Sequence, residues 1–324
     1  MTPPGYLAVD SGGSGLRVAV GVPGREPAAR GESAEPVRTG PRGIDPAHLM
    51  AQLAPLARDL TARSGVDGLV TAVVGAAGFA TLGDALRAEL PGKLARELGV
   101  RTVALAADAV TAYAGALGSR PGAVVAAGTG LIAVGTDLTG WRRADGWGHL
   151  LGDCGSGAWI GRAGLEAALR AHDGRDGGSG ALLARAEERF GPMPGLPARL
   201  YPRTDRAAVL ASFAPDVAAC APYDPVGADI LREAARGMAE SMAAVCPATG
   251  RPEVSLTGGV FKMGEPLLGP LREELARRLP QARQVTAEGD PLDGSVRIAS
   301  ELAVWNCALP REPSYLHVVT APAG

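Results

Sequence analysis

The chain has 324 residues, 46% of them apolar, and a formal net charge of −2. Such a length exceeds what one hydrophobic core usually supports, so two domains are expected. The small charge and the lack of like-charge runs argue against nucleic acid as the main partner. No apolar stretch approaches the roughly 20 residues that cross a bilayer.

The opening, MTPPGYLAVD, carries no charged leader and no apolar h-region. It runs directly into a strand, which points to a cytoplasmic protein. Residues 6–22, YLAVDSGGSGLRVAVGV, alternate as a strand, enter a glycine–serine turn and alternate again. Residues 46–64 have helical spacing, with Leu49, Leu53, Leu56 and Leu60 on one face. A strand is expected over 69–74, a helix over 82–98, a strand over 101–106 and a helix over 109–117. Residues 122–137, GAVVAAGTGLIAVGTD, repeat the form of the opening: apolar run, Gly-Thr-Gly turn, apolar run. Two such units at domain-sized separation suggest an internal duplication with a cleft between the halves.

Helices are then expected near 158–170, 181–190, 206–220 and 225–245, with a glycine-rich loop over 174–180. A strand over 253–256 ends in TGGVF, followed by helices over 267–278 and 294–308. Residues from 310 onward read as a tail. Strands alternating with helices predict an α/β fold with a mainly parallel core.

The four cysteines, Cys154, Cys220, Cys246 and Cys307, are widely spaced and form no CxxC pair. Neither a zinc site nor a disulfide framework is signalled, and reduced thiols fit best.

The most informative segment is 146–157, GWGHLLGDCGSG, which turns at once into a helical pattern. It holds five glycines in twelve residues. A stretch that irregular is costly to order, because glycine loses the most backbone freedom on folding, and a site is the natural reason to keep it. Asp153 sits in its middle with no helix directly after it, where a carboxylate can bind sugar hydroxyls. Trp147 reads as core or as a sugar platform, His149 as a satisfied loop histidine, and Cys154 as a small filler.

Each glycine turn has two readings. The turn at Asp10, Gly12, Gly13 and Ser14 is either a plain hairpin or a cradle of backbone N–H groups for phosphate, with Asp10 holding Mg²⁺ through water. It is no Walker A loop, since no lysine lies nearby. The turn Gly128, Thr129, Gly130 formally fits a dinucleotide fingerprint, but that device needs a helix after it, and 131–134 reads as strand. Asp108 follows a strand and precedes a helix. It is either an N-cap or a carboxylate at a strand end, poised to take a proton from a substrate hydroxyl. Gly258 and Gly259 either make a tight turn or let the backbone approach a planar ligand such as adenine.

These segments, in order, resemble the family of N-acetylglucosamine kinases and related ATPases of the benzoyl-CoA reductase activator type, within the actin–hexokinase superfamily. The residues that carry the resemblance are VDSGGSGLRVAV, AADAVTAYAGAL, AAGTGLIAVG, GWGHLLGDCGSGAWIGRAGL, ASFAPDVAACAPYDPVGADILREAA and LTGGVF. The resemblance implies two ribonuclease-H-like (actin-like ATPase) domains with a central cleft. The boundary is expected near 117/118, giving domains 1–117 and 118–324, with the last helix and tail packing back on the first. It implies Asp108 as general base, Asp10 at Mg²⁺–phosphate, Ser14 and Thr129 at phosphates, and Gly146, Trp147, Gly148 and Asp153 at the sugar.

The implied reaction is ATP- and Mg²⁺-dependent phosphorylation of a small amino sugar at a primary hydroxyl, by resemblance O6 of N-acetylglucosamine. Alternatives are a glucosamine or other hexosamine kinase and, more remotely, an ATPase that activates a radical dehydratase. No nucleic-acid or membrane partner is implied, and a homodimer is an open assembly state. Three departures bear on the sugar rather than on the reaction. Cys154 stands where the family usually has Glu, and Leu131 and Ile132 stand where some members have polar residues. Around 37–40, VRTG, the sugar-contacting asparagine is missing.

Overall fold

A computed structural model describes residues 5–12, 15–304 and 306–320. The chain divides into two compact units. The first comprises Met1–Gly122, Thr136–Trp141 and Val285–Gly324; the second comprises Ala123–Gly135 and Arg142–Gln284. The C-terminal segment therefore belongs to the first unit.

The first unit is built on a six-stranded sheet. Strand Gly5–Gly12 turns back antiparallel onto Gly15–Gly21 and lies parallel to Leu69–Ala76, which lies parallel to Thr102–Ala107. Their apolar runs are buried on both faces, as parallel strands require. Helix Pro46–Ser64 forms as its spacing predicts. The Asp45 side chain accepts from the amides of Ala47 and His48, Pro46 occupies the first turn, and Gly65 stops the helix at φ 67°. Leu49, Leu53 and Leu60 are buried under it.

Two expectations near the C-terminus change. The last helix spans Pro291–Ala303 rather than 294–308, starting early because Asp290 caps it in a box with Asp293 of its first turn. The tail is no tail: Leu316–Thr320 forms a strand antiparallel to Thr102–Ala107 and completes the sheet. Helix Pro291–Ala303 packs backbone to backbone on helix Asp108–Leu117. A Cβ on Gly294 would meet the Thr111 carbonyl at 1.9 Å, and one on Gly115 would meet the Asp290 carbonyl at 2.1 Å. Only glycine permits that approach.

The second unit carries a five-stranded sheet in the order Trp141–Asp145, Leu131–Thr136, Gly122–Ala127, Glu253–Thr257, Arg283–Gln284. The strand Leu131–Thr136 confirms that the Gly128–Gly130 turn opens no helix and is no dinucleotide fingerprint. Helices Gly157–His172, Gly180–Phe190 and Pro225–Val245 bury Ile160, Leu165, Leu182, Leu231 and Met238 in one core. The single helix expected over 206–220 is two, Arg206–Ala211 and Ala214–Cys220. Pro215 sits in the first turn of the second, where its missing N–H costs nothing, and would break a continuous helix.

Among the described residues, no helix is long and apolar enough to cross a membrane.

Candidate active site

In the first unit, strand Gly5–Gly12 ends at the first glycine turn. A Cβ on Gly12 would meet nothing within 4 Å, and Gly12 has no left-handed φ. Neither packing nor backbone conformation demands glycine there, and the space is open to a ligand. Gly13 and Ser14 lie outside the described residues.

Asp10 is largely buried. Its Oδ2 accepts from Arg17 Nε at 3.0 Å and Nη2 at 2.6 Å, while Arg17 Nη1 reaches Asp290 Oδ2 at 2.5 Å. Asp290 is also the N-cap of helix Pro291–Ala303. One guanidinium thus ties the turn to a helix 273 positions away. Burial pushes the Asp10 carboxyl upward in pKa, more than Arg17 pulls it down. The Ser11 hydroxyl beside it is buried with no partner among the described residues.

Asp108 is the first residue of its helix, at the C-terminal end of strand Thr102–Ala107, and it is exposed. The cap position belongs to Ala107, which offers no side chain to the helix. Asp108 Oδ1 accepts the adjacent Ala109 amide at 2.9 Å, and Thr111 Oγ1 donates to the Asp108 carbonyl at 2.9 Å. The carboxylate is exposed at a strand end, with one oxygen on the first amide of its own helix.

In the second unit, the Gly128–Gly130 turn and the 146–157 segment form one piece. The Gly157 amide donates to the Gly128 carbonyl at 2.8 Å, and the Ala158 amide to the Thr129 carbonyl at 3.1 Å. Thr129 is exposed, and a Cβ on Gly128 would meet nothing within 4 Å.

Asp153 makes the second latch. It is 5% exposed and holds φ 57°, a left-handed conformation that Asp tolerates better than most residues. Its Oδ1 accepts the Gly148 amide at 3.0 Å, and its carboxylate also accepts the Leu131 amide just past the turn. A Cβ on Gly130 would meet Asp153 Oδ2 at 2.7 Å. Burial raises its pKa, with the Asp145 charge adding to the effect and the two amides opposing it.

Asp145, which the sequence reading did not single out, organises the segment. Its two carboxylate oxygens accept the Asp153 and Cys154 amides. Gly152 is glycine because a Cβ there would meet Asp145 Oδ1 at 2.4 Å. The acid immediately before the GWG motif was the available signal. Arg143 donates to the carbonyls of Asp145 and Gly146, and its guanidinium lies over the Trp147 ring.

Trp147, Leu150 and Leu151 are 65%, 76% and 85% exposed, so Trp147 is not a core residue. Gly146, at φ 74°, sits over Ile132, whose side chain a Cβ would meet at 3.0 Å. Cys154 is exposed. Partial burial and the charges of Asp145 and Asp153 raise its pKa and keep it a neutral thiol.

Gly258 and Gly259 differ. Gly258 has φ 110°, and a Cβ would meet the Ala127 carbonyl at 2.2 Å, so the fold itself requires it. At Gly259 a Cβ would meet nothing within 4 Å.

Two α/β units, each opening on a strand–glycine-turn–strand hairpin, define an actin-like ATPase fold. Residues 9–296 match the BadF/BadG/BcrA/BcrD ATPase family, and the chain belongs to that family. Among curated proteins it is similar to the N-acetylmuramic acid/N-acetylglucosamine kinase of Clostridium acetobutylicum, 33% identical over 201 residues. That match spans 59% of this chain and 65% of the relative's length, just under two thirds.

Among solved structures, it resembles a proposed N-acetylglucosamine kinase of Chromobacterium violaceum, with TM-score 0.68 and 25% identity over 91% of this chain and 98% of that one. It shares its fold with a ROK family glucokinase of Streptomyces griseus, with TM-score 0.54 and 20% identity over 93% and 99% of the two chains.

Proposed function

We propose that this protein is an ATP-dependent amino-sugar kinase that phosphorylates N-acetylglucosamine at its primary hydroxyl, giving the 6-phosphate. One observation carries the reading. Asp153 and the Gly157 and Ala158 amides fasten the sugar-type segment directly to the Gly128–Gly130 turn. Phosphoryl transfer needs an acceptor hydroxyl held beside the phosphates, and little else from the protein beyond positioning and charge stabilisation. A segment hydrogen-bonded to a turn that would hold the phosphates meets that need. The names of the relatives support the sugar, and N-acetylmuramic acid joins it as a candidate through the Clostridium relative.

The residues fit the nucleotide. Gly12, Gly128 and Gly259 leave open space where a side chain would stand, as close approach of phosphates and adenine demands. Mg²⁺ would be met through water by Asp10, whose Oδ2 is committed to Arg17 while Oδ1 has no partner among the described residues. When bound, the ion would neutralise charge on the transferring phosphoryl group.

Asp108 would accept the proton of the sugar hydroxyl as the new bond to phosphorus forms. Gly146, Trp147 and Gly148 would line the sugar. Asp153 would hold the loop in shape and offer its remaining lone pairs to a hydroxyl. Leu131 is buried in the core, so the apolar side chain of Ile132, against Gly146, would be the one to favour an acetyl methyl over a free amine.

The test is an ATP-consumption assay with N-acetylglucosamine, glucosamine, N-acetylmuramic acid and glucose, followed by NMR assignment of the phosphorylated carbon. N-acetylglucosamine should exceed glucose in kcat/KM by well over tenfold. Glucose within a few-fold of the best amino sugar rejects the proposal.

A further inference from the structure

Arg143, on strand Trp141–Asp145, is held in one orientation. Its Nε donates to the Asp145 carbonyl at 3.0 Å, its Nη2 donates to the Gly146 carbonyl at 2.7 Å, and its guanidinium lies 4.6 Å from the centroid of the Trp147 ring. These contacts use the side edge of the guanidinium, formed by Nε and Nη2. A guanidinium carries five N–H donors in a fixed fork. Of the three left over, one on Nη1 and one on Nη2 make up the end edge, whose spacing matches a carboxylate in bidentate geometry.

No carboxylate pairs with Arg143 among the described residues. Its partners are two neutral carbonyls and an aromatic face. In the same unit Arg185, Arg189, Arg203, Arg272 and Arg278 each meet an Asp or Glu, while Arg199 and Arg206 donate to carbonyls without the aromatic contact that Arg143 makes. Arg143 is thus a half-buried, pre-oriented and uncompensated positive charge in direct contact with Gly146 and Trp147.

We propose that Arg143 is a specificity-determining residue that binds a carboxylate carried by the sugar, so that the substrate class includes amino sugars with an acidic ether substituent on the ring. This rests on the kinase reading above. The acid cannot be a uronic acid, because oxidation at C6 removes the hydroxyl that accepts the phosphoryl group. It must hang from another ring oxygen, as the lactyl ether of N-acetylmuramic acid does. The end edge of Arg143 takes the carboxylate, and the exposed indole of Trp147 offers an apolar face to the rest of the substituent.

The experiment compares N-acetylmuramic acid, its neutral methyl ester and N-acetylglucosamine on the wild-type enzyme, Arg143→Gln and Arg143→Lys, at saturating ATP. The wild-type enzyme should prefer the acid over the ester by about tenfold or more, the size of one charge-assisted pair. Arg143→Gln should erase that preference, and Arg143→Lys, which keeps the charge but not the fork, should retain part of it. Equal use of acid and ester by the wild-type enzyme overturns the proposal. So does an Arg143→Gln variant that slows all three sugars in parallel, which would make Arg143 a loop buttress only, or one that raises the ATP KM as much as the acid KM. If no sugar is phosphorylated, the kinase reading fails by itself, and calorimetric binding of the acid decides this one. Binding lost in Arg143→Gln upholds it; no binding to the wild-type protein overturns it.

Discussion

Asp145 and Asp153 both hold left-handed backbone conformations, at φ 61° and 57°, and the carboxylate of the first accepts the amide of the second. The other oxygen of Asp145 takes the Cys154 amide. Asp153 in turn spends its own carboxylate on the Gly148 and Leu131 amides. Two carboxylates therefore set the path of the whole 145–154 loop.

Asp145→Ala should loosen that loop. It frees two amides and puts a Cβ without polar support into a left-handed position, each costing about 1 kcal/mol or more. Thermal unfolding should shift down by several degrees, and the sugar KM should rise more than the ATP KM. Asp145→Asn, which keeps one acceptor and tolerates the conformation, should do less harm. An unchanged melting temperature in Asp145→Ala would show that water replaces the carboxylate without loss.

Asp108→Asn should leave the fold intact and remove most of the activity. The helix cap position belongs to Ala107, and Asp108 Oδ1 accepts the Ala109 amide. An amide can still accept that bond but cannot take a proton, a role contributing about 10²–10⁴-fold. Steady-state kcat beside a melting curve separates the two roles, and a kcat within a few-fold of wild type assigns Asp108 to the helix alone.

Gly258→Ala and Gly259→Ala should fail in different ways. The first drives a methyl into the Ala127 carbonyl and forces φ 110° on a residue with a side chain, so it should lower stability and yield. The second meets only open space, so it should fold normally and raise the ATP KM. Gly128→Ala should resemble Gly259→Ala for the same reason. Calorimetry with a non-hydrolysable ATP analogue on purified variants reads both effects. A Gly259→Ala protein with wild-type nucleotide affinity would remove that glycine from the nucleotide site.

The raised pKa of Asp153 predicts a pH dependence of stability. Its folded-state pKa lies above the unfolded value because burial penalises the charged form. The stability tied to the neutral form is fully present below the unfolded pKa, near 4, and is lost as pH rises through the folded one. Asp153→Asn cannot ionise, so its stability should gain on that of the wild type as pH rises above about 4, with the difference levelling off past the folded pKa. Denaturant titrations across that window measure the slope, and parallel curves would mean the carboxylate titrates normally.

The sequence by itself determined what depends on near neighbours. Helix Pro46–Ser64 was legible because its apolar spacing repeats over several turns, and the structure adds the Asp45 cap and the Gly65 stop at its ends. Both strand–turn–strand hairpins were legible for the same reason, as was the singularity of residues 146–157, because so many glycines in an ordered chain need a cause. Only the tertiary structure decided what depends on residues far apart. Nothing local in LHVVT says that it pairs with Thr102–Ala107, nor in Arg17 that it joins Asp10 to Asp290. Asp153 read as a carboxylate for sugar hydroxyls until its two backbone amides were in view, and Asp145 was not singled out at all. Gly258 and Gly259 look alike in sequence, yet one faces a carbonyl and the other faces open space. The reason is physical: propensity acts over a few residues, whereas desolvation, close backbone approach and buried charge pairing are properties of whatever the fold brings within a few ångströms.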